Sequence, residues 1–406
     1  MSEFLTLDDV DVKKKVILLR IDINVPYDPQ TDSISDSERL RAHAETVREL
    51  SDKSGRIVIL AHQGRKGEQN FIHLKQHADF LSKHSNKEIK YVEDVIGKAA
   101  VGGIKSLREG EVLLLDNVRL LDDEAVEKRI EEHANSKLVA TLSPLADVFV
   151  NDAFSVAHRA HASIIGFTVK LPSFAGRVME QEIKSCEKAL NPERPNVFIL
   201  GGAKPKDCVK ILDHMLSKGI LTEVLTCGLL GHLFLLANGI DIGQASIEVL
   251  KKKGVFDLVE KLRNLQTEYK ERIKIPLDIA EEVNDTRVER KTNELPCEGP
   301  IMDIGNDTIE KYKEILKSAK TIVVKGPAGV YEKKEFGLGT CNLLDEIRKS
   351  KGFTLIGGGD TSVAVAKLGF KSDDFSYVSI AGGALITYLS GRDMPGVRAL
   401  KEAAKR

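Results

Sequence analysis

Three glycines in a row followed by an aspartate, a threonine and a serine stand at Gly357-Gly-Gly-Asp-Thr-Ser362. The apolar run 353–356 breaks on them, and Val363, Ala364 and Ala366 resume with helical spacing. That order reads as strand, tight turn, helix. Such a turn aims bare backbone N–H groups and a helix N-terminus at whatever lies above the strand end, which makes an anion site. Asp360 and Thr361 stand where a magnesium ion carried on that anion would need oxygen ligands. Alone, the segment would be an ordinary strand–helix connection. A second set of residues accompanies it.

That set is basic. Short apolar runs in the first half are followed by Arg20-Ile-Asp-Ile-Asn-Val-Pro26, Ala61-His-Gln-Gly-Arg65, Leu115-Asp-Asn-Val-Arg119 and Val150-Asn-Asp-Ala-Phe154, the last continuing into Ala157-His-Arg-Ala-His161. With Arg39 at a predicted helix start, Arg65, Arg119, Arg159, His62, His158 and His161 gather along one rim. Arginine offers a planar, always-charged fork that fits carboxylate and phosphate oxygens. The pattern reads as a pocket for a small polyanion.

The elements that must position these groups are short runs at 16–23, 57–61, 112–115 and 148–150, then 197–200, 224–226, 321–324, 353–356 and 377–380. They are continuously apolar rather than alternating, as in parallel strands buried on both faces. Helical stretches at 36–50 and 124–134 lie between them, which predicts βαβ units. The expected fold is α/β: two doubly wound parallel-sheet, Rossmann-like domains at 1–172 and 193–390. A connecting helix and hinge occupy 173–192, with a single helix over 177–190 that stops at a proline cluster. Residues 391–406 are expected to return to the first domain.

In doubly wound sheets ligands bind beyond the carboxyl ends of the strands. In the second half those ends read Leu200-Gly-Gly-Ala-Lys204, Cys227-Gly228, Lys325-Gly-Pro-Ala-Gly329, Gly357-Gly-Gly-Asp360 and Ala381-Gly-Gly-Ala384. Glycine lets backbone approach a phosphate chain closely. An arginine pocket on one domain therefore complements a glycine-rich, lysine-tipped nucleotide site on the other. Neither a P-loop nor a dinucleotide GxGxxG fingerprint stands in the right context.

Bulk composition narrows the partners. Sixty basic residues balance 61 acidic ones, so neither nucleic acid nor a membrane surface is indicated. No apolar run is long enough to span a bilayer, and residues 1–10 lack the basic and apolar regions of a leader. The five cysteines are scattered without zinc or redox spacing, which predicts reduced thiols and a cytoplasmic protein. A monomer is expected.

In this order, the motifs closely resemble those of phosphoglycerate kinases, from Arg20-Ile-Asp-Ile-Asn-Val-Pro26 to Gly391-Arg-Asp-Met-Pro-Gly396, with the length of archaeal-like members. The resemblance implies a phosphotransferase with a carboxyl acceptor, interconverting 1,3-bisphosphoglycerate and ADP with 3-phosphoglycerate and MgATP. It implies a 3-phosphoglycerate site of Asp22, Asn24, Arg39, His62, Arg65, Arg119 and Arg159. It implies a nucleotide site of Lys204, Glu332, Gly357, Gly358, Gly359, Asp360 and Thr361, with neighbouring Lys325. Glu332 would meet the ribose hydroxyls and Asp360 the magnesium. Arg39, Lys204 and the helix N-termini at Gly358 and Gly382 would stabilise the transferring group, with hinge closure excluding water.

The chain departs from the family pattern in four places. Many members carry a second lysine at the position of Cys208, for which Lys206 is the nearest replacement; Lys325 stands for a usual asparagine. Ile380-Ala-Gly-Gly383 replaces a run of three glycines, and a longer glycine segment is reduced to Thr226-Cys-Gly228. Two other classes compete: a non-catalytic sensor of phosphorylated metabolites, and a dehydrogenase on a similar fold.

Overall fold

The structure, a computed structural model, describes residues 3–406; Met1 and Ser2, which begin the stretch read above as no leader, lie outside it. Among the described residues the chain divides into two units, one running up to Lys184 and including Asp393–Arg406, the other Ser185–Arg392.

The first unit is built on β1 (Val16–Arg20), β2 (Arg56–Leu60), β3 (Ile89–Val92), β4 (Val112–Leu115), β5 (Val148–Asn151) and β6 (Ser173–Ala175), all parallel, in the order β3-β4-β2-β1-β5-β6. Ile17, Leu19, Ile57 and Ile59 enter one buried cluster and Leu18, Val58 and Leu60 another, on the opposite face. Burial on both faces is why these strands read as unbroken apolar runs. Burying one such side chain contributes about 1.5–3 kcal/mol. From β1 the chain steps outward through β2 and then returns to β5 on β1's other flank. The β1/β5 boundary is thus a topological switch point, where a crevice opens beyond the strand ends.

In this unit α1 (Glu38–Asp52) is capped by Ser37, whose hydroxyl accepts the Leu40 N–H. The helix predicted at 177–190 forms as α2 (Arg177–Leu190). The C-terminal helix Pro395–Ala403 packs on this unit, with Gly396 N–H donating to the Ala157 carbonyl at 2.8 Å and Arg406 to that of Thr168 at 2.7 Å.

The helix expected over 124–134 is reduced to Ile130–His133. Glu124 is drawn into the core instead. Its carboxylate accepts the Ser163 N–H and hydroxyl at 2.8 and 2.6 Å, and its carbonyl accepts the Ala162 N–H. The run at 16–23 leaves the ladder at Arg20, although Ile21 and Ile23 stay buried. Strands β3 and β6 were not foreseen. Each is short and at a sheet edge, and β3 interrupts its apolar residues with Lys90.

The second unit repeats the plan with β7 (Asn196–Leu200), β8 (Glu223–Thr226), β9 (Ile273–Lys274), β10 (Thr321–Lys325), β11 (Phe353–Gly357) and β12 (Tyr377–Val378) in the parallel order β9-β8-β7-β10-β11-β12. Its switch point lies between β7 and β10. Helix α3 (Pro205–Ser217) follows β7, α4 (Gly359–Lys367) follows β11 and α5 (Gly383–Leu389) follows β12. A separate antiparallel sheet of Asp278–Val283, Thr286–Lys291 and Ile301–Ile304 was also unforeseen, because its hairpin is mostly charged. Its turn, Asn284-Asp285, has both residues at positive φ, as a two-residue hairpin requires.

Candidate active site

Beyond β1 the chain turns at Asp22, which is buried with two partners for its carboxylate: Asn24 N–H at 3.1 Å on Oδ1 and Arg39 at 2.9 Å on Oδ2. The same Arg39 nitrogen donates to the Asn24 carbonyl at 3.1 Å. Asn24 Oδ1 accepts the Gly64 N–H at 2.8 Å, tying the β1 and β2 loops together, and Gln63 exchanges two bonds with the Val25 backbone. Burial alone would raise the Asp22 carboxyl, but the Arg39 charge and the Asn24 N–H hold it well below the usual range. It is an anion inside the fold. Its effect is to fix the Arg39 guanidinium at the pocket's edge.

His62 is buried beside this pair, and burial pushes its imidazole well below the ordinary value; Asp22 opposes that fall, while Arg20, Arg119 and Arg39 add to it. It is therefore neutral, so the pull on Asp22 comes from Arg39 rather than from His62. Arg20 lies 3.2 Å from His62 Nδ1. An arginine can only donate, so Nδ1 accepts and His62 carries its proton on Nε2. Arg119, in the turn Val118–Leu120, donates to the Gly64 carbonyl, while its Nε–H is buried without a partner among the described residues. Burial pulls its guanidinium down to about 10, with the Arg20 charge adding to the effect. The same crowd of cations bears on His161, which burial and then Arg119, Arg159 and Arg20 push down to about 3. A cluster of like charges with an unmet donor calls for an anion. Arg159 is half-buried nearby, whereas Arg65 is exposed in the loop after Gly64.

Sequence reading missed the layer behind these groups. Arg20 Nε donates to Ser163 Oγ at 2.8 Å, and that hydroxyl donates to the buried Glu124. The Asp22 N–H donates to His43 Nε2 at 3.3 Å, so His43 gives its Nδ1 proton to Asp152 at 2.9 Å. The other Asp152 oxygen accepts the Val178 and Met179 N–H groups at the start of α2.

The second unit is put together from backbone. Gly201 N–H donates to the Lys325 carbonyl, Gly202 to Pro327 and Gly228 to Ala328, at 2.8, 2.8 and 3.0 Å. A methyl group on Gly202, Gly228 or Gly326 would fall within 3.1 Å of a neighbouring loop's backbone, and one on Gly357 would strike Leu385. Those glycines serve packing. Gly359 and Gly382 have open space where a side chain would stand, and Gly358 has only Thr361 Oγ1 and Lys325 Cε beyond 3.5 Å. Gly358 caps α4 at φ +96°, a conformation that favours glycine. The Thr361 hydroxyl fastens two loops together, accepting the Gly326 N–H at 2.9 Å and donating to the Gly357 carbonyl at 2.8 Å.

Lys204 and Asp360 meet at 3.2 Å, each more than half exposed. Glu332 is exposed in the loop after β10, and both it and Asp360 raise the Tyr331 phenol after burial has done so, which places Tyr331 near the two carboxylates. Lys206 is exposed. Lys325 is buried, and Cys208 donates its thiol to the Gly201 carbonyl at 3.3 Å.

Two doubly wound sheets, one ending in fixed arginines and the other in open glycines under a Lys–Asp pair, define a two-unit α/β phosphotransferase. The family model described as phosphoglycerate kinase matches residues 7–392. Phosphoglycerate kinases of Methanothermobacter thermautotrophicus and Methanosarcina mazei are 42% and 43% identical over 402 residues, covering 99% and 98% of this chain and 97% and 95% of their own. Among solved structures, the phosphoglycerate kinase of Pyrococcus horikoshii matches with a TM-score of 0.91 at 35% identity, covering 99% of both chains. That of Coxiella burnetii matches with 0.83 at 28%, covering 99% of this chain and 100% of its own. The chain belongs to the phosphoglycerate kinase family.

Proposed function

We propose that the family's reaction, reversible phosphoryl transfer between 1,3-bisphosphoglycerate and ADP, is divided here between the two units. The first binds 3-phosphoglycerate or its acyl phosphate; the second binds ADP or ATP. A β-phosphate oxygen of ADP attacks the acyl phosphorus, the bond to the carboxyl oxygen breaks, and 3-phosphoglycerate leaves as a carboxylate with ATP formed. In reverse the carboxylate attacks the γ-phosphorus and ADP leaves. No protein nucleophile is needed, so the chain contributes positioning and charge.

Arg119 and Arg159, with the exposed Arg65, hold the 3-phosphate. Arg39, fixed by Asp22 and the Asn24 carbonyl, reaches the carboxylate end, and His62 offers its Nε2 proton. On the second unit Gly358 and Gly359 present backbone N–H groups to the phosphates, Lys204 adds charge, and Glu332 meets the ribose. α5 has seven residues, so Gly382 enters only as open backbone. Direct transfer between ligands held on separate units needs a closing motion about the connecting helix.

Asp360 is the residue that would hold magnesium. Its carboxylate is 54% exposed, and among the described residues no group of three or more His, Cys, Asp or Glu side chains could hold an ion. A single carboxylate suits an ion delivered on a nucleotide, where it would neutralise phosphate charge. The expected compartment is the cytoplasm, in keeping with thiols that form no disulfide among the described residues.

The observation that carries the reading is the exposed Lys204–Asp360 pair beside open glycines on one unit, with the unmet Arg119 donor on the other. The test is ADP formation by the purified protein from 3-phosphoglycerate and MgATP, with acyl phosphate trapped in a coupled assay. Turnover requiring both substrates is expected. A protein that binds either ligand and turns over neither would contradict the proposal.

A further inference from the structure

Lys325 ends β10, the strand at the switch point of the second sheet, and is 5% exposed. Among the described residues no carboxylate pairs with it. A lysine side chain so largely buried, with no counter-charge paired to it, favours an anion beside it. Its Cε lies 3.9 Å from where a side chain would leave Gly358, the N-cap of the nine-residue α4. The helix N-terminus and the buried cation thus converge on one point. Lys204 and Asp360 follow β7 and β11, the strands flanking β10, and meet across its end. Two cations and a helix N-terminus against one carboxylate leave a positive site.

We propose that Lys325 is a catalytic residue of the phosphoryl transfer, its ammonium resting on the non-bridging oxygens of the transferring group. This rests on the functional reading above and adds a residue to it. Lys204 is 63% exposed, so water and salt screen its charge, whereas Lys325 stands where a charge interacts several-fold more strongly. A cation held at a largely buried strand end stabilises charge as it moves with little reorganisation. Cys208, in the first turn of α3, shares this space: burial pushes its thiol up to about 11, and Lys325 is the charge that most opposes that rise. A lysine introduced at 208 would bring its ammonium to the same oxygens. Lys206, exposed on the same turn, is not in that position.

Lys325→Met keeps the length and removes the charge. The expected result is a kcat lower by roughly 10- to 100-fold, with ADP affinity by calorimetry and KM for MgATP changed by no more than about threefold. Adding Cys208→Lys should recover at least about fivefold of that loss, a coupling that independent sites lack. Should Lys325→Met not fold, as read by its melting curve, Lys325→Arg keeps the charge and displaces it, and the same kcat loss with ADP affinity retained is expected. Two results overturn the assignment with the wild-type enzyme active: a variant within about threefold of wild-type kcat, or a double mutant no better than the single. A wild-type protein inert toward 3-phosphoglycerate and MgATP overturns the functional reading, and this assignment with it.

Discussion

The arginine pocket of the first unit and the glycine loops of the second stand at equivalent strand ends, yet they hold their charges by opposite means. In the first, side chains are fixed by buried side chains: Asp22 holds Arg39, Ser163 and Glu124 hold Arg20, and Asp152 holds His43. In the second, backbone is fixed by backbone, and the ion pair it presents lies in solvent. The difference predicts how each fails. A substitution at Arg39, Arg20 or Asp152 should damage chemistry and stability together, because each charge removed strands a buried partner. In the second, the two should separate.

Arg39→Ala is the largest break. It removes the group proposed to bridge the carboxylate and the transferring phosphoryl, and it leaves Asp22 buried as an unpaired anion. We expect kcat and kcat/KM to fall together by at least about a hundredfold, on the order of 3 kcal/mol, as for loss of one oxyanion donor. The melting temperature should fall as well. Normal stability with lost activity would contradict the paired construction, and kcat within about threefold of wild type would remove Arg39 from the transfer.

Thr361→Val tests the second unit's fastening. The Gly326 N–H loses its acceptor in a buried place, a cost of about 1–3 kcal/mol readable by denaturant melting. Thr361→Ser restores the hydroxyl and should recover most of it. If Thr361 were instead a magnesium ligand, Val would shift the magnesium dependence with stability unchanged.

Acid should reach the first unit through its buried histidines. The folded protein leaves His161 unprotonated down to about pH 3, while the unfolded chain binds a proton below about pH 6.5. The unfolded state therefore holds the extra proton in that window, and stability rises with pH through it, by up to about 1.4 kcal/mol per pH unit for this group. His161→Gln should flatten the stability–pH curve between about pH 4 and 6; an unchanged slope would show that His161 protonates as readily in the fold as out of it.

Asp360→Asn should have the smallest effect. The carboxylate is half exposed, so its charge is worth at most about 1 kcal/mol, or about fivefold in the magnesium needed for half-maximal rate. An unshifted titration would make Asp360 only a helix-end residue, a role asparagine fills equally well.

The two units were not equally legible in the sequence. Doubly wound parallel sheets followed from continuous apolar runs, and the charged groups past β1, β2 and β4 announced themselves by type. Arg20, Glu124 and Ser163 did not, because they pair across the fold: Arg20 finds Ser163 at a separation of 143 residues, and His43 finds Asp152 across 109. Glu124 even counted as helix, since an acidic residue in a polar run gives no sign that its carboxylate is buried. Among the glycines, composition could not separate Gly202 and Gly326, which pack on each other's loops, from Gly358 and Gly359, which lie open. That distinction exists only once neighbouring backbones are in place. The edge strand β3 and the charged hairpin at 278–291 escaped for the related reason that partly exposed strands need not be apolar, whereas β6 is buried but only three residues long.

The central claim is that two anion sites of different construction lie on separate units, and ligand-by-ligand calorimetry tests it most directly. Arg119→Ala, removing the buried donor, should weaken 3-phosphoglycerate binding by at least about tenfold, the effect of losing a charged hydrogen bond worth about 1.5–3 kcal/mol. Arg159→Ala should act in the same direction and the exposed Arg65→Ala less. In all three, ADP affinity should stay within about twofold of wild type, since sites that share no residues add independently. Arginine variants that lost ADP affinity as far as 3-phosphoglycerate affinity would contradict the account.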